Sequence, residues 1–175
     1  RHMIEYFAQS HVGLVRKGNE DSYYAPSQSR PKDPQFFLCV ADGLGGHNAG
    51  EIASQLAVRT MVTSMQTMEG KNQMLDHPFE TMQRLFFEAN DKIHMLSTES
   101  EKMYGMGTTL TAAVCKKHMV CIAHVGDSRA YLFNEDGLVQ ITTDHTFVQT
   151  LIQSGQLTEK AALTHPYRHV ITRAV

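Results

Sequence analysis

The sequence predicts an α+β domain in which helices cover antiparallel β-structure, and three observations carry that reading. The run QFFLCVAD, residues 35–42, is continuously apolar over a strand's length and ends on a carboxylate. Two segments, from Gly50 to about Met68 and from about Pro78 to Leu96, repeat apolar residues at helical spacing. From Gly107 to His145 the pattern changes to β-branched and apolar runs broken by turn residues. Strands, then two helices, then more strands fit a layered α+β arrangement.

Taken in order, IEYFAQSHVGLV has strand character interrupted by a glycine. NEDSYYAPSQSRPKDP holds Pro26, Pro31 and Pro34, and its second half reads as a surface loop. QFFLCVAD reads as a buried strand. The first helix carries Ile52, Leu56, Val58, Met61, Val62 and Met65, and KNQMLDHP breaks it. The second presents Phe79, Met82, Leu85, Phe86, Ala89, Ile93 and Leu96, with Pro78 in its first turn. CKKH and NEDG read as hairpin turns, so the later strands are expected to form an antiparallel meander. The tail returns to helical spacing, and SGQLTEKAA reads as a helix stop followed by a short helix capped by Thr158. The opening RHM reads as a cloning remnant, leaving residues 4–175 as one domain.

Composition narrows the function classes. The 175 residues are 42% hydrophobic and 19% charged, enough for one unstapled core. Sixteen basic and 18 acidic residues give a formal charge of −2, which excludes bulk electrostatic attraction to nucleic acid or a membrane surface. Cys39, Cys115 and Cys121 lie in apolar runs without CxxC spacing and read as buried thiols of a cytoplasmic protein. No apolar run reaches the ~18 residues of a membrane helix, and no signal-peptide pattern is present.

Candidate chemistry centres on VADGLGG, residues 40–46. Asp42 ends the apolar strand, and Gly43 leaves its carbonyl unshielded. Gly45 and Gly46 let the chain turn away without Cβ clashes. Glu20 and Asp21 in RKGNED, and Asp127 in AHVGDSRAY, sit at similar turns. Hard divalent cations take oxygen ligands of these kinds. Each signal alone is ordinary, since Asp-Gly is commonly a turn. His47 could line a site or be a solvated loop residue, and His124 reads as a satisfied sheet residue.

Read in succession, GLVRKGNED, VADGLGGHNAGEIAS, GTTLTAAV, HVGDSRAYL, ITTDHTFVQTLIQSGQLT and HPYRHVITRAV resemble the bacterial branch of the metal-dependent serine/threonine protein phosphatases, the type 2C or PPM family. The resemblance runs from about Gly13 to Val175. It implies a four-layer sandwich of two antiparallel sheets flanked by helices. It also implies two Mn²⁺ or Mg²⁺ ions, with a third, weaker site. By that resemblance Asp42 bridges the two metals, the Gly43 carbonyl and Glu20 serve one, and Asp21 supports the water shell of the other. Asp127 matches the third site, and Arg16, four residues before Glu20, matches the phosphate-binding arginine. DHTFVQTLIQSGQLTEKAA falls where the family has a mobile flap. The implied reaction is hydrolysis of phosphoserine and phosphothreonine by metal-activated water. Implied partners are phosphorylated proteins and a cognate serine/threonine kinase, and the chain is expected to be a monomer.

One departure from the family bears on activity. Family members carry, beyond a motif like VITRAV, a strand ending in Ser-Asp-Gly and a later Asp-Asn pair, each with a metal-binding aspartate. Neither occurs in this sequence. The expectation is therefore the N-terminal portion of a type 2C domain, without the final strands of the sandwich and a poor enzyme by itself. The alternative is a non-catalytic phosphoprotein-binding or regulatory module with an incomplete metal site.

Overall fold

The computed structural model describes residues 5–26, 35–46, 48–116 and 118–175. The opening RHM, Pro31, Pro34, His47 and one residue of the CKKH turn lie outside them. Elements follow the order β1 (Asp21–Tyr24), β2 (Gln35–Leu44), α1 (Ala49–Thr63), α2 (Met68–Asp76), α3 (Pro78–Glu99), β3 (Gly107–Thr108), β4 (Leu110–Lys116), β5 (Met119–Val125), β6 (Tyr131–Asn134), β7 (Gly137–Gln140), α4 (Phe147–Gln153) and α5 (Glu159–Ala162).

The apolar run becomes β2, and it organises the main sheet. Strands β1, β2, β4 and β5 pair in that order, all antiparallel, and β3 adds to the end of β2. Side chains alternate across a pleated strand. Phe37, Cys39 and Ala41 of β2, with Ala112 and Val114 of β4, are buried in the core with α1 and α3. Phe36, Leu38, Val40 and Asp42 therefore lie on the opposite face. Tyr23, Val40 and Val120 are exposed on that face.

α1 approaches the sheet through small residues. Ala49, Ala53, Ala57 and Met61 are buried, whereas the predicted face residues Ile52, Leu56, Val58 and Met65 pack at the rim of the core. Small side chains permit close approach, so the deepest stripe is not the most hydrophobic one. α3 buries Met82, Leu85, Ala89 and Ile93 as predicted, but Phe79 is exposed and Phe86 only partly covered. Full burial of residues such as Phe37, Met82 and Leu85 contributes roughly 1.5–3 kcal/mol each.

Three sequence expectations need correction here. KNQMLDHP does not simply break the helix, because its first six residues lie in α2. The Thr67 side chain caps α2 by accepting from the Gly70 N–H, and Met74 and Leu75 anchor it. Residues 5–12 form no strand. Tyr6 instead packs its ring against Phe36 at 5.0 Å, and Phe7 stays exposed. The strand that does form, β1, lies in DSYY, where two tyrosines suit a pleated, half-buried surface. The meander divides as well. β4 and β5 stay in the main sheet, while β6 and β7 form a separate two-stranded sheet after the chain turns at Gly126. The NEDG hairpin and the Thr158 cap stand as read, with the Thr158 hydroxyl accepting from the Ala161 N–H.

Burial on the helix side makes Cys39 inert. Desolvation pushes its thiol up to about 12. Since the thiolate is the nucleophile, Cys39 should resist a disulfide-exchange reagent at pH 8 and react only on unfolding. The half-buried Cys115 serves as the internal comparison. Rapid labelling of native Cys39, located by mass spectrometry, would contradict this packing.

Candidate metal centre

Strand register brings together what the sequence separates. Asp21 of β1 and Asp42 of β2 are cross-strand partners. Directly opposed antiparallel residues hold their Cβ atoms about 4.5–5.5 Å apart. The two carboxyl groups lie within hydrogen-bonding reach of each other on the face away from α1 and α3. Partial desolvation, then the Asp21 carboxylate, push the Asp42 carboxyl up to about 6. Asp127 adds to that push, and Arg16 opposes it. Four of the predicted site residues thus act on one another electrostatically.

Asp42 is gripped through its backbone. Its N–H donates to Thr109 Oγ1 at 2.9 Å, and its carbonyl accepts from the Thr109 N–H at 2.9 Å. Thr109 Oγ1 also meets Ser128 Oγ at 2.7 Å. This ties the Asp127 turn to the strand that carries Asp42. Gly126 makes the turn possible. Its φ is +106°, and a Cβ there would lie 2.5 Å from Thr109 Cγ2. Beyond the turn, the Arg129 guanidinium donates to both Asp144 oxygens, at 2.9 and 2.6 Å. Thr109 and Ser128 were not singled out from the sequence, although both lie in motifs it marked, GTT and GDS.

Gly43 is the next residue of β2 and faces the other way. It is buried beneath the start of α1, and its N–H donates to the Glu20 carbonyl at 3.1 Å. The Glu20 carboxylate sits near Gly50, where a Cβ would lie 3.0 Å from its carboxyl carbon. It is 3.7 Å from the Arg16 guanidinium, whose side chain is largely exposed. Two clefts therefore flank the β1–β2 edge. One, of about 390 Å³, is lined by Phe7, Gln9, Asp21, Val40, Asp42 and Ser128. The other, of about 590 Å³, is lined by Arg16, Lys17, Glu20, Glu51, Lys102 and Met103, among others.

Among the described residues, no three His, Cys, Asp or Glu side chains converge closely enough to hold an ion by themselves. The Asp21–Asp42 pair is the point of convergence. Nearby, His124 Nδ1 lies 2.8 Å from Thr111 Oγ1, and its ring stacks on His145 at 5.2 Å. Its Nε2 is buried without a hydrogen-bond partner among the described residues, so His124 is only half satisfied. Desolvation holds both histidines below their ordinary value.

This geometry coincides with a family match. The family model described as Protein phosphatase 2C matches residues 16–167, from Arg16 through the whole site. The chain belongs to the protein phosphatase 2C family. The serine/threonine phosphatase Stp of Listeria innocua is 37% identical over 164 residues, covering 93% of this chain and 63% of that protein. The serine/threonine protein phosphatase PstP of Mycobacterium tuberculosis is 38% identical over 173 residues, covering 99% of this chain and 31% of that protein. Among solved structures, the serine/threonine phosphatase of S. agalactiae superposes with a TM-score of 0.83 at 31% identity, over 94% of this chain and 66% of that one. The PstP catalytic domain in complex with two manganese ions gives 0.74 at 37% identity, over 95% and 64%. The chain thus spans less than two thirds of these relatives' length. As a protein phosphatase 2C chain it has the expected α+β fold, with two antiparallel sheets and covering helices. No helix among its described residues is long and apolar enough to cross a membrane.

Proposed function

We propose that this chain carries metal-dependent hydrolysis of phosphoserine and phosphothreonine in proteins. The observation that carries the reading is the Asp21–Asp42 carboxyl pair, fixed by strand register beside Arg16. The donors suit a hard divalent cation, since both are carboxylate oxygens that repel each other without one. Mg²⁺ and similar ions are held by one or two carboxylates, with water and substrate phosphate completing the shell. Asp21 and Asp42 would hold the metal, with Asp127, Glu20 and the Gly43 carbonyl as further oxygens around it. When bound, Mn²⁺ or Mg²⁺ supplies an activated water at neutral pH and offsets phosphoryl charge.

The chain's own residues do the rest. Thr109 fixes the Asp42 backbone from both sides, so the carboxylate keeps its aim. Arg16, exposed and on the segment that carries Glu20 and Asp21, offers a planar fork to the phosphoryl oxygens. No cysteine lies in either cleft, which accords with a mechanism free of a thiol nucleophile. The names of the relatives support phosphoproteins as substrates. Three free thiols accord with a reducing cytoplasm.

Arg16→Ala is expected to lower kcat/KM for a phosphothreonine peptide by roughly 10- to 100-fold, the loss of one charge-assisted contact. Mn²⁺ affinity should stay nearly constant, as titration calorimetry would read. An unchanged kcat/KM would remove Arg16 from the site. A second reading, a phosphoprotein-binding module without catalysis, is favoured by the lack of three converging donors among the described residues. Phosphate release from a phosphothreonine peptide with Mn²⁺, abolished by a chelator, separates the two. Binding of that peptide without release would favour the module.

A further inference from the structure

Three cations and two acids line the larger cleft. Its walls bring Arg16 and Lys17, which precede β1, together with Lys102, from the single 3₁₀ turn Glu101–Met103 that follows α3. Ala49, Ile52 and Met103 supply an apolar side. Of the two acids, one is in an ion pair and one is hydrogen-bonded to a neutral amide. Glu20 pairs with Arg16 at 3.7 Å, and Glu51 accepts from Gln55 Nε2 at 3.0 Å. Lys17 and Lys102 have no ion pair among the described residues, and both are exposed at the surface. They are unpaired cations in the cleft that also holds Arg16, the proposed phosphate-binding residue.

We propose that this cleft is the peptide groove of the phosphatase, and that Lys102, together with Lys17, selects substrates carrying acidic residues beside the phosphorylated one. The inference rests on the proposed phosphatase reading. It adds a specificity determinant from the turn after α3, which plays no part in the metal site. A phosphopeptide laid along the cleft would set its phosphate by Arg16, its aliphatic side chains on Ile52 and Met103, and a flanking carboxylate at Lys102. Lysine suits this task, because its flexible stem reaches carboxylates in several registers without demanding one planar geometry. An exposed pair of this kind acts mainly on substrate choice and association rate and weakens with salt.

The test uses the full chain with Mn²⁺ and three substrates. These are p-nitrophenyl phosphate, a phosphothreonine peptide flanked by glutamates, and the same peptide flanked by lysines. Lys102→Glu should raise KM for the acidic peptide roughly 5- to 20-fold with kcat unchanged, the mark of lost uniform binding. Turnover of p-nitrophenyl phosphate should stay the same, the preference for the acidic over the basic peptide should shrink or reverse, and Lys102→Arg should restore it. Equal effects on both peptides, or none, would overturn the proposal. If the wild type turns over no substrate, the phosphatase reading fails separately. Anisotropy of the labelled acidic phosphopeptide then decides the groove, because Lys102→Glu must still weaken its binding several-fold. Unchanged anisotropy would overturn the groove as well.

Discussion

Asp42→Asn is expected to abolish Mn²⁺ binding and, in the same protein, to raise the melting temperature of the metal-free form. Both effects come from the cross-strand pair. Two carboxylates held on one face of the sheet repel each other, and desolvation adds to the penalty, which is why the Asp42 carboxyl rises to about 6. A carboxyl whose folded value lies above its ordinary 3.8 binds more protons in the native state. Stability is therefore lost as pH rises through the window from 3.8 to about 6, and the full cost is present at pH 7.5. Solvent screening at this exposed position reduces that cost to about 1–2 kcal/mol, or roughly 2–8 °C in a chain of this size. The asparagine variant should gain this increment at pH 7.5 and lose the advantage below pH ~4. Mn²⁺ should reverse the ranking, since a ligand at 100 times its Kd stabilises the protein that binds it by about 2.7 kcal/mol. Thermal melts with and without Mn²⁺ read both effects. Equal Mn²⁺-induced shifts in the two proteins would show that Asp42 is not a ligand.

Gly43→Ala is expected to cost about 3 kcal/mol or more, or to prevent folding. A Cβ on Gly43 would lie 2.0 Å from the Gly50 carbonyl oxygen, 2.4 Å from its carbon and 2.8 Å from the Glu20 carbonyl oxygen. All three are backbone atoms, so no side-chain rotation relieves the contact. α1 would have to lift from the sheet, and Glu20 would move away from β2. The melting temperature should fall by roughly 6–12 °C or more. Gly46→Ala is the control, because a Cβ there meets nothing within 4 Å. If the two variants melt alike, the close approach of α1 to β2 is misplaced.

The elements legible in the sequence were those with local causes. β2 announced itself by an unbroken apolar run, the β6–β7 hairpin by NEDG, and α5 by a threonine cap. α2 was missed because its polar surface and the proline that follows resemble a loop, while the Thr67 cap and the buried pair Met74 and Leu75 stabilise it. The buried stripe of α1 was misread because packing against a sheet rewards small residues over large ones. The N-terminal run was apolar enough for a strand, yet β structure needs a neighbouring edge, which a single segment does not reveal.

The site divides in the same way. The glycine-rich turn marks Asp42 locally. Its pairing with Asp21 depends on the register of β1 on β2, and a shift of one residue would send one carboxylate to the opposite face. Thr109 braces Asp42 across 67 positions of sequence, and no local pattern could expose that contact. Glu20 and Asp21 are adjacent in sequence, yet they border different clefts.

The central claim is that Asp21 and Asp42 together hold a divalent metal ion. Diffraction from Mn²⁺-soaked crystals at the manganese absorption edge tests it most directly, because the anomalous signal locates the metal without assumptions about activity. The account predicts an anomalous peak beside the pair, about 2.0–2.3 Å from a carboxylate oxygen of Asp42, within the range of hard-cation ligation, with Asp21 in contact directly or through the metal's water. A map without a peak beside the pair, or with manganese bound only elsewhere on the chain, would contradict it.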